Sequence, residues 1–173
     1  KLFTTYPYFK LINIGGGLGI HYDPNSESLC SLDEYVSIIS DFINENQFTE
    51  KEVIFEPGRF LSGNTGVLIT KVIREKRFFR IVDAGMNDLI RPALYGAHHE
   101  IFPIKKPNLA EEKKVLTIAG PICETGDFFI DRKPCYSIKK GDFVAISNVA
   151  AYGKVLASTY NSRPLINEYF IKS

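Results

Sequence analysis

Cys123 and Glu124 stand side by side in Gly120-Pro121-Ile122-Cys123-Glu124-Thr125-Gly126-Asp127. The pairing joins a thiol able to move a proton to a carboxylate able to select a cationic substrate. With apolar Ile122 before it and two acids close by, the Cys123 thiol is expected to keep its proton and to be able to donate it; an inert buried cysteine is the other reading. Cys30 and Cys135 have no such setting and are expected to be inert. The cysteines form an odd set without CxxC spacing, so neither a disulfide framework nor a zinc site is indicated and at least one thiol should be free. Arg91 and Tyr95 lie four apart in Asp88-Leu89-Ile90-Arg91-Pro92-Ala93-Leu94-Tyr95-Gly96, a loop or single helical turn. They could offer a guanidinium fork and a phenol to one carboxylate, or be an exposed Arg with a packed Tyr. His98 and His99 follow without a carboxylate to complete a metal site, and both are expected at the surface.

Two further segments could hold a phosphorylated ring. The run Gly15-Gly16-Gly17-Leu18-Gly19 follows an apolar stretch, where it can turn backbone N–H groups toward phosphate or simply form a tight turn. It is no dinucleotide fingerprint, because Ile20 stands where a third glycine would be needed, and no Gly-Lys-Ser/Thr follows to make a Walker loop. In Glu56-Pro57-Gly58-Arg59 the carboxylate ends a predicted strand. It could hold a pyridine nitrogen protonated, turning the ring into an electron sink, or it could pair with Arg59.

The elements that must position these groups can be read from periodicity. Residues 11–14 and 53–56 predict short strands, the first apolar enough to be buried on both faces. Between them Ser31 and Glu34 form a capping box, and Leu32, Tyr35, Val36, Ile39, Phe42 and Ile43 recur at helical spacing, predicting a helix to about residue 46. Strand, glycine loop, helix, strand is a parallel βαβ unit, consistent with part of a (β/α)8 barrel. Beyond residue 66 the rhythm shortens, with predicted strands at 67–73, 78–82, 115–119, 143–147 and 168–171 and no long helix between them. The fold class is therefore α/β followed by β: residues 1–66 from the end of a barrel, then a β-barrel or sandwich over 67–173. Residues 105–114, with Pro107 and Asn108, predict a surface loop.

The chain has 173 residues, 45% of them hydrophobic, enough for a real core. Lys and Arg total 21 against 20 Asp and Glu, a net charge of +1 that favours neither nucleic acid nor an anionic membrane as partner. No apolar run reaches the roughly 20 residues of a membrane helix, and Lys1-Leu2-Phe3-Thr4-Thr5 is not a secretory signal, so a cytoplasmic location is expected. An apolar opening strand and no initiating Met give the chain the look of a piece of something larger.

Taken together, the glycine run, Glu56-Pro57-Gly58-Arg59, the Asp88 to Gly96 segment and Cys123-Glu124 resemble diaminopimelate decarboxylase, a pyridoxal-phosphate enzyme family of lysine synthesis. The resemblance covers nearly the whole chain and implies the C-terminal portion of such an enzyme. It implies that Gly15, Gly16, Gly17, Glu56, Gly58 and Arg59 hold pyridoxal 5'-phosphate. Arg91 and Tyr95 would bind the distal carboxylate of meso-diaminopimelate, with Arg59 also at the substrate. Cys123 would reprotonate the α-carbon and Glu124 would grip the distal ammonium. Ala150-Ala151-Tyr152-Gly153 resembles the family's Gly-Ala-Tyr-Gly, whose Tyr touches cofactor and substrate, here Tyr152; Ala150 replaces the usual first glycine. Tyr160-Asn161-Ser162-Arg163-Pro164 resembles the family's late motif and is expected to tie the β-domain to the barrel. The family's covalent cofactor lysine lies upstream of the glycine loop, and no lysine here follows its motif, so the chain alone is expected to be inactive. A head-to-tail homodimer with shared active sites is also implied, Cys and Glu coming from the partner. Other readings are decarboxylation of another basic amino acid or of carboxynorspermidine, or a non-catalytic homologue on the same fold.

Overall fold

A computed structural model describes residues 8–23, 29–48, 50–106 and 112–171. Residues 1–5, Pro107 and Asn108 of the predicted surface loop, and the last two residues lie outside that range.

The first unit is the expected βαβ. Strand β1 (Leu11–Asn13) pairs in parallel with β2 (Glu52–Ile54), and helix α1 (Leu32–Glu45) makes the crossover. Ser31 caps α1 by accepting the Glu34 N–H at 3.1 Å, with Asp33 and Glu34 in the first turn where the helix dipole favours acids. Tyr35, Ile39 and Ile43 are the half-buried side of the helix, while Leu32, Val36, Ile38 and Phe42 are exposed. The expectation that β1 is buried on both faces is not met. Ile12 is buried but Leu11 is exposed, because this two-stranded sheet is covered on one side only among the described residues.

After the short helix α2 (Gly58–Ser62) the chain enters a mixed six-stranded sheet built from β3 (Leu68–Lys76), β4 (Phe79–Val82), β5 (Ile101–Pro103), β6 (Lys114–Ala119), β7 (Phe128–Cys135) and β8 (Phe143–Ile146). The order is β5-β8-β3-β4-β6-β7, with β4 and β6 parallel and all other neighbours antiparallel. The sheet curls until its edge strands, β5 and β7, line opposite sides of a cavity of about 290 Å³. It is thus a nearly closed barrel, and the sandwich alternative falls away. Two-residue alternation puts Leu68, Thr70 and Val72 inside, joined by Val82, Leu116, Ile118, Ile130, Val144 and Ile146. Each such aliphatic side chain contributes roughly 1.5–3 kcal/mol on leaving water. Thr70, the polar member, donates to Asp83 at 2.5 Å and accepts the Ala84 N–H at 2.9 Å, so its hydroxyl is satisfied inside.

Two strands in this half lack a signal in the sequence pattern, β5 and β7, and one predicted strand does not form. Residues 168–171 form no strand pairing among the described residues, and Tyr169, Phe170 and Ile171 are almost fully exposed. Helix α3 (Arg91–Tyr95) is the single turn allowed for, closed by Gly96 in the left-handed conformation at φ 62°. No helix among the described residues is long and apolar enough to cross a membrane.

Candidate active site

Because β1 and β2 are parallel and in register, their carboxyl ends deliver the glycine run and Glu56 to the same place. The pairing runs past the strands through Ile14 N–H to the Ile54 carbonyl at 3.1 Å and Glu56 N–H to the Gly15 carbonyl at 2.7 Å. Asn13 locks the corner with both ends of its amide. Its Nδ2 donates to Glu56 Oε1 at 2.7 Å, and its Oδ1 accepts the Gly15 N–H at 2.8 Å. A side chain on Gly16 has no room, since a Cβ would stand 2.4 Å from the Glu56 carbonyl oxygen. The N–H groups of Gly16 and Gly17 meet no protein acceptor among the described residues. They are free for an anion.

Arg59, on α2, does not pair with Glu56, whose carboxylate is taken by Asn13. Its guanidinium carbon lies 5.6 Å from the centre of the Tyr152 ring and 6.0 Å from that of Tyr22. Tyr152 reaches this point from the turn after β8, which lies against Gly66 at the entry to β3 through the Val149 N–H to the Gly66 carbonyl at 3.1 Å, and it holds a left-handed φ of 68° that an ordinary side chain adopts only at some cost in strain. The turn behind it is tight. A Cβ on Gly153 would stand 2.1 Å from the Val149 carbonyl oxygen, and one on Gly66 would stand 2.9 Å from the Ala150 methyl. Gly66 therefore makes the room that Ala150, in place of a glycine, takes up. Gly16, Gly17, Leu18, Glu56, Gly58, Arg59 and Tyr152 together line a cavity of about 320 Å³. Gly15 stands next to it in the same turn.

A second group sits around Arg91. The expectation of two surface histidines is corrected here: His99 is wholly buried, with Nδ1 2.8 Å from the Ser147 carbonyl and Nε2 3.1 Å from Arg91 Nη1. Arg91 is itself only 5% exposed, while Tyr95 on the same turn is 65% exposed, so the two do not converge within this chain. The Tyr22 ring stacks on Arg91 with its centroid 4.6 Å from the guanidinium carbon. Burial draws the His99 pKa below its ordinary value, opposed by the Ser147 carbonyl and assisted by the neighbouring Arg91 and His98.

The third group is the loop between β6 and β7. Cys123 and Glu124 are exposed on it and do not line the cavity. Asp127 forms the loop's base, accepting the Met86 N–H on one oxygen and the Ile122 N–H on the other, each at 2.6 Å. Tyr160 donates to Glu124, and Arg163 reaches the Asp83 carbonyl and stands 3.9 Å from Asp88. The late motif thus binds loops of the sheet domain itself, where a tie to the barrel portion was expected. All three cysteines are free, and burial pushes the Cys135 thiol up.

Sequence reasoning missed Asn13, Tyr22, Asp127 and the burial of His99. Only Asn13 carried a signal, a polar residue set inside the apolar run Leu11-Ile12-Asn13-Ile14.

Residues 12–150 match the family described as "Pyridoxal-dependent decarboxylase, C-terminal sheet domain". The chain belongs to the pyridoxal-dependent decarboxylase family. Diaminopimelate decarboxylase of Aquifex aeolicus is 41% identical over 169 residues, 95% of this chain and 39% of that protein. The enzyme of the same name from Methanothermobacter thermautotrophicus is 40% identical over 171 residues, 95% of this chain and 40% of that one. Among solved structures, diaminopimelate decarboxylase from Helicobacter pylori complexed with L-lysine superimposes with a TM-score of 0.76 at 39% identity, covering 91% of this chain and 38% of that one. The chain therefore spans about two fifths of the length of these relatives. The pocket fits a pyridoxal phosphate as this family uses it. Two unclaimed N–H groups on a glycine turn suit a phosphate, and a carboxylate pinned by Asn13 suits a ring nitrogen.

Proposed function

We propose that the complete protein decarboxylates meso-2,6-diaminopimelate to L-lysine, the last step of lysine synthesis, in the cytoplasm. The observation that carries this reading is the cavity that gathers Gly16, Gly17, Glu56, Gly58, Arg59 and Tyr152 from both ends of the chain. Residues 1–66 would be the end of the cofactor-binding barrel and 67–173 the sheet domain. Gly15, Gly16 and Gly17, with Gly58, would hold the phosphate of pyridoxal phosphate, Glu56 its ring nitrogen, and Arg59 and Tyr152 the rim shared with substrate. When bound, the cofactor supplies the electron sink that accepts the pair left by the departing carboxylate.

The chain's own residues then have two tasks. Arg91, charged and without a carboxylate partner among the described residues, would take the substrate's distal carboxylate with Tyr95, and Glu124 the distal ammonium. Cys123 would deliver the thiol proton to the α-carbon. Cys123, Glu124 and Tyr95 are exposed, and the cavity does not contain them, which supports a homodimer in which one subunit completes the other's site.

A second reading, decarboxylation of a basic amino acid lacking a distal carboxylate, leaves the buried charge of Arg91 unanswered. The test is turnover of meso-diaminopimelate by the complete protein with pyridoxal phosphate, followed as lysine and carbon dioxide. Cys123→Ala should lose about 10²- to 10⁴-fold in kcat, the usual worth of a general acid, while Cys30→Ala changes little. Failure to form lysine, with lysine or ornithine decarboxylated instead, would favour the second reading.

A further inference from the structure

We propose that His99 is a positioning residue for Arg91, a buried imidazole that fixes the guanidinium without neutralising it so that its charge is left for the substrate's distal carboxylate. The inference rests on the reading of Arg91 given above and adds to it the group that aims it.

The hydrogen-bond directions follow from the partners. A carbonyl only accepts, so the Ser147 carbonyl, 2.8 Å away, requires the proton on Nδ1 of His99. In the neutral ring Nε2 is then an acceptor, and Arg91 Nη1 at 3.1 Å donates to it. The imidazole is wholly buried beside the Arg91 guanidinium, an environment that opposes a second proton. Its distance to Ser147 is set by the sheet. Ile101 of β5 pairs with Ile146 of β8, and just beyond that rung the Ser147 N–H donates to the Glu100 carbonyl at 3.0 Å. The edge ladder therefore holds His99, and His99 holds Arg91.

The rest of the guanidinium's surroundings are neutral as well. The Tyr22 ring covers one face, its centroid 4.6 Å from the guanidinium carbon, and packs edge-on against His99 at 5.3 Å between ring centres. Arg91 Nε is buried without a partner, and no carboxylate lies within ion-pair distance among the described residues. A carboxylate in the place of His99 would orient Arg91 equally well but would compete with the substrate for its charge. A neutral acceptor orients it and does not compete.

The test compares His99→Asn with His99→Gln in the complete enzyme, reading KM and kcat for meso-diaminopimelate and, separately, pyridoxal phosphate affinity from the cofactor's absorbance. Asn retains a donor near Nδ1 for the Ser147 carbonyl but loses the acceptor for Arg91, whereas Gln can place its amide oxygen near Nε2. His99→Asn should raise KM about 10-fold with kcat within about 3-fold, the pattern of lost uniform binding. Cofactor affinity should stay unchanged, and His99→Gln should recover most of the KM. An unchanged KM in His99→Asn overturns the proposal, as does a parallel loss of KM and cofactor affinity in both variants, which marks a packing role. A wild type that turns over other substrates but not meso-diaminopimelate overturns the functional reading itself, and this inference with it.

Discussion

The phenol of Tyr160 donates its hydrogen bond to the carboxylate of Glu124, joining the late Tyr160-Asn161-Ser162-Arg163-Pro164 motif to the Cys123-Glu124 loop. The bond and the charge of Glu124, with smaller contributions from burial and from Cys123, raise the Tyr160 pKa above its ordinary value, so the phenol keeps the proton it donates. Tyr160 holds the rotamer of a residue proposed to grip the substrate's ammonium. Tyr160→Phe, which deletes the donor and keeps the ring, should raise KM for meso-diaminopimelate severalfold in the complete enzyme with little change in melting temperature. An unaltered KM would show that Glu124 needs no such support.

Gly16 and Gly17 are adjacent but should respond differently to alanine. At Gly16 a methyl would lie 2.4 Å from the Glu56 carbonyl, so the turn and the Glu56-Pro57-Gly58 segment must move apart. At Gly17 nothing lies within 4 Å, and the cost is that of holding alanine at φ +99°, on the order of 1–2 kcal/mol. Gly16→Ala should abolish measurable pyridoxal phosphate binding where Gly17→Ala weakens it about 10-fold. Titration of the cofactor's absorbance distinguishes them, and equal losses would show that the close approach of Gly16 to Glu56 is not what shapes the pocket.

Asp127 supports the Cys123 loop from inside. Asp127→Ala would leave the Met86 and Ile122 N–H groups without acceptors, a loss of about 2–4 kcal/mol that denaturant unfolding should register. Gly120 is part of the same device, because a Cβ there would stand 2.4 Å from an Asp127 oxygen. Gly120→Ala should therefore destabilise the protein although the loop is at the surface.

The buried His99 gives stability a pH dependence of defined sign. Its folded pKa lies below the unfolded value of 6.5, lowered first by burial and then by Arg91 and His98 against the Ser147 carbonyl. In the window below 6.5 the unfolded chain binds the proton more readily, so this contribution is complete above that pH and is lost as pH falls through the folded pKa. Urea midpoints compared between about pH 5 and about pH 8 should rise with pH more steeply in wild type than in His99→Gln. Identical slopes would place the titration elsewhere.

The sequence by itself determined the local part of this protein. The period of Leu32 to Ile43 with its Ser31 cap, the apolar runs around Ile12 and Val53, and the strand-like segments that became β3, β4, β6 and β8 each depend on neighbours a few residues away, and all appear in the structure. The strands without a signal are the two edges. β7 carries Asp131, Arg132, Lys133 and Pro134, and β5 ends in Pro103, residues that a central strand rejects but an edge tolerates. The apolar run at 168–171 has the opposite fault, a strand's composition without a partner strand among the described residues. Only the tertiary structure decided that Tyr152 stands beside Arg59 and Gly16, that Arg91 and His99 are buried against each other, and that Tyr160 reaches Glu124. Those meetings follow from strand order and from the turns between strands. Periodicity tells a residue which face of its own element it occupies, but a contact across the fold depends on which element comes to lie opposite, and that is settled by how the whole sheet closes over its core.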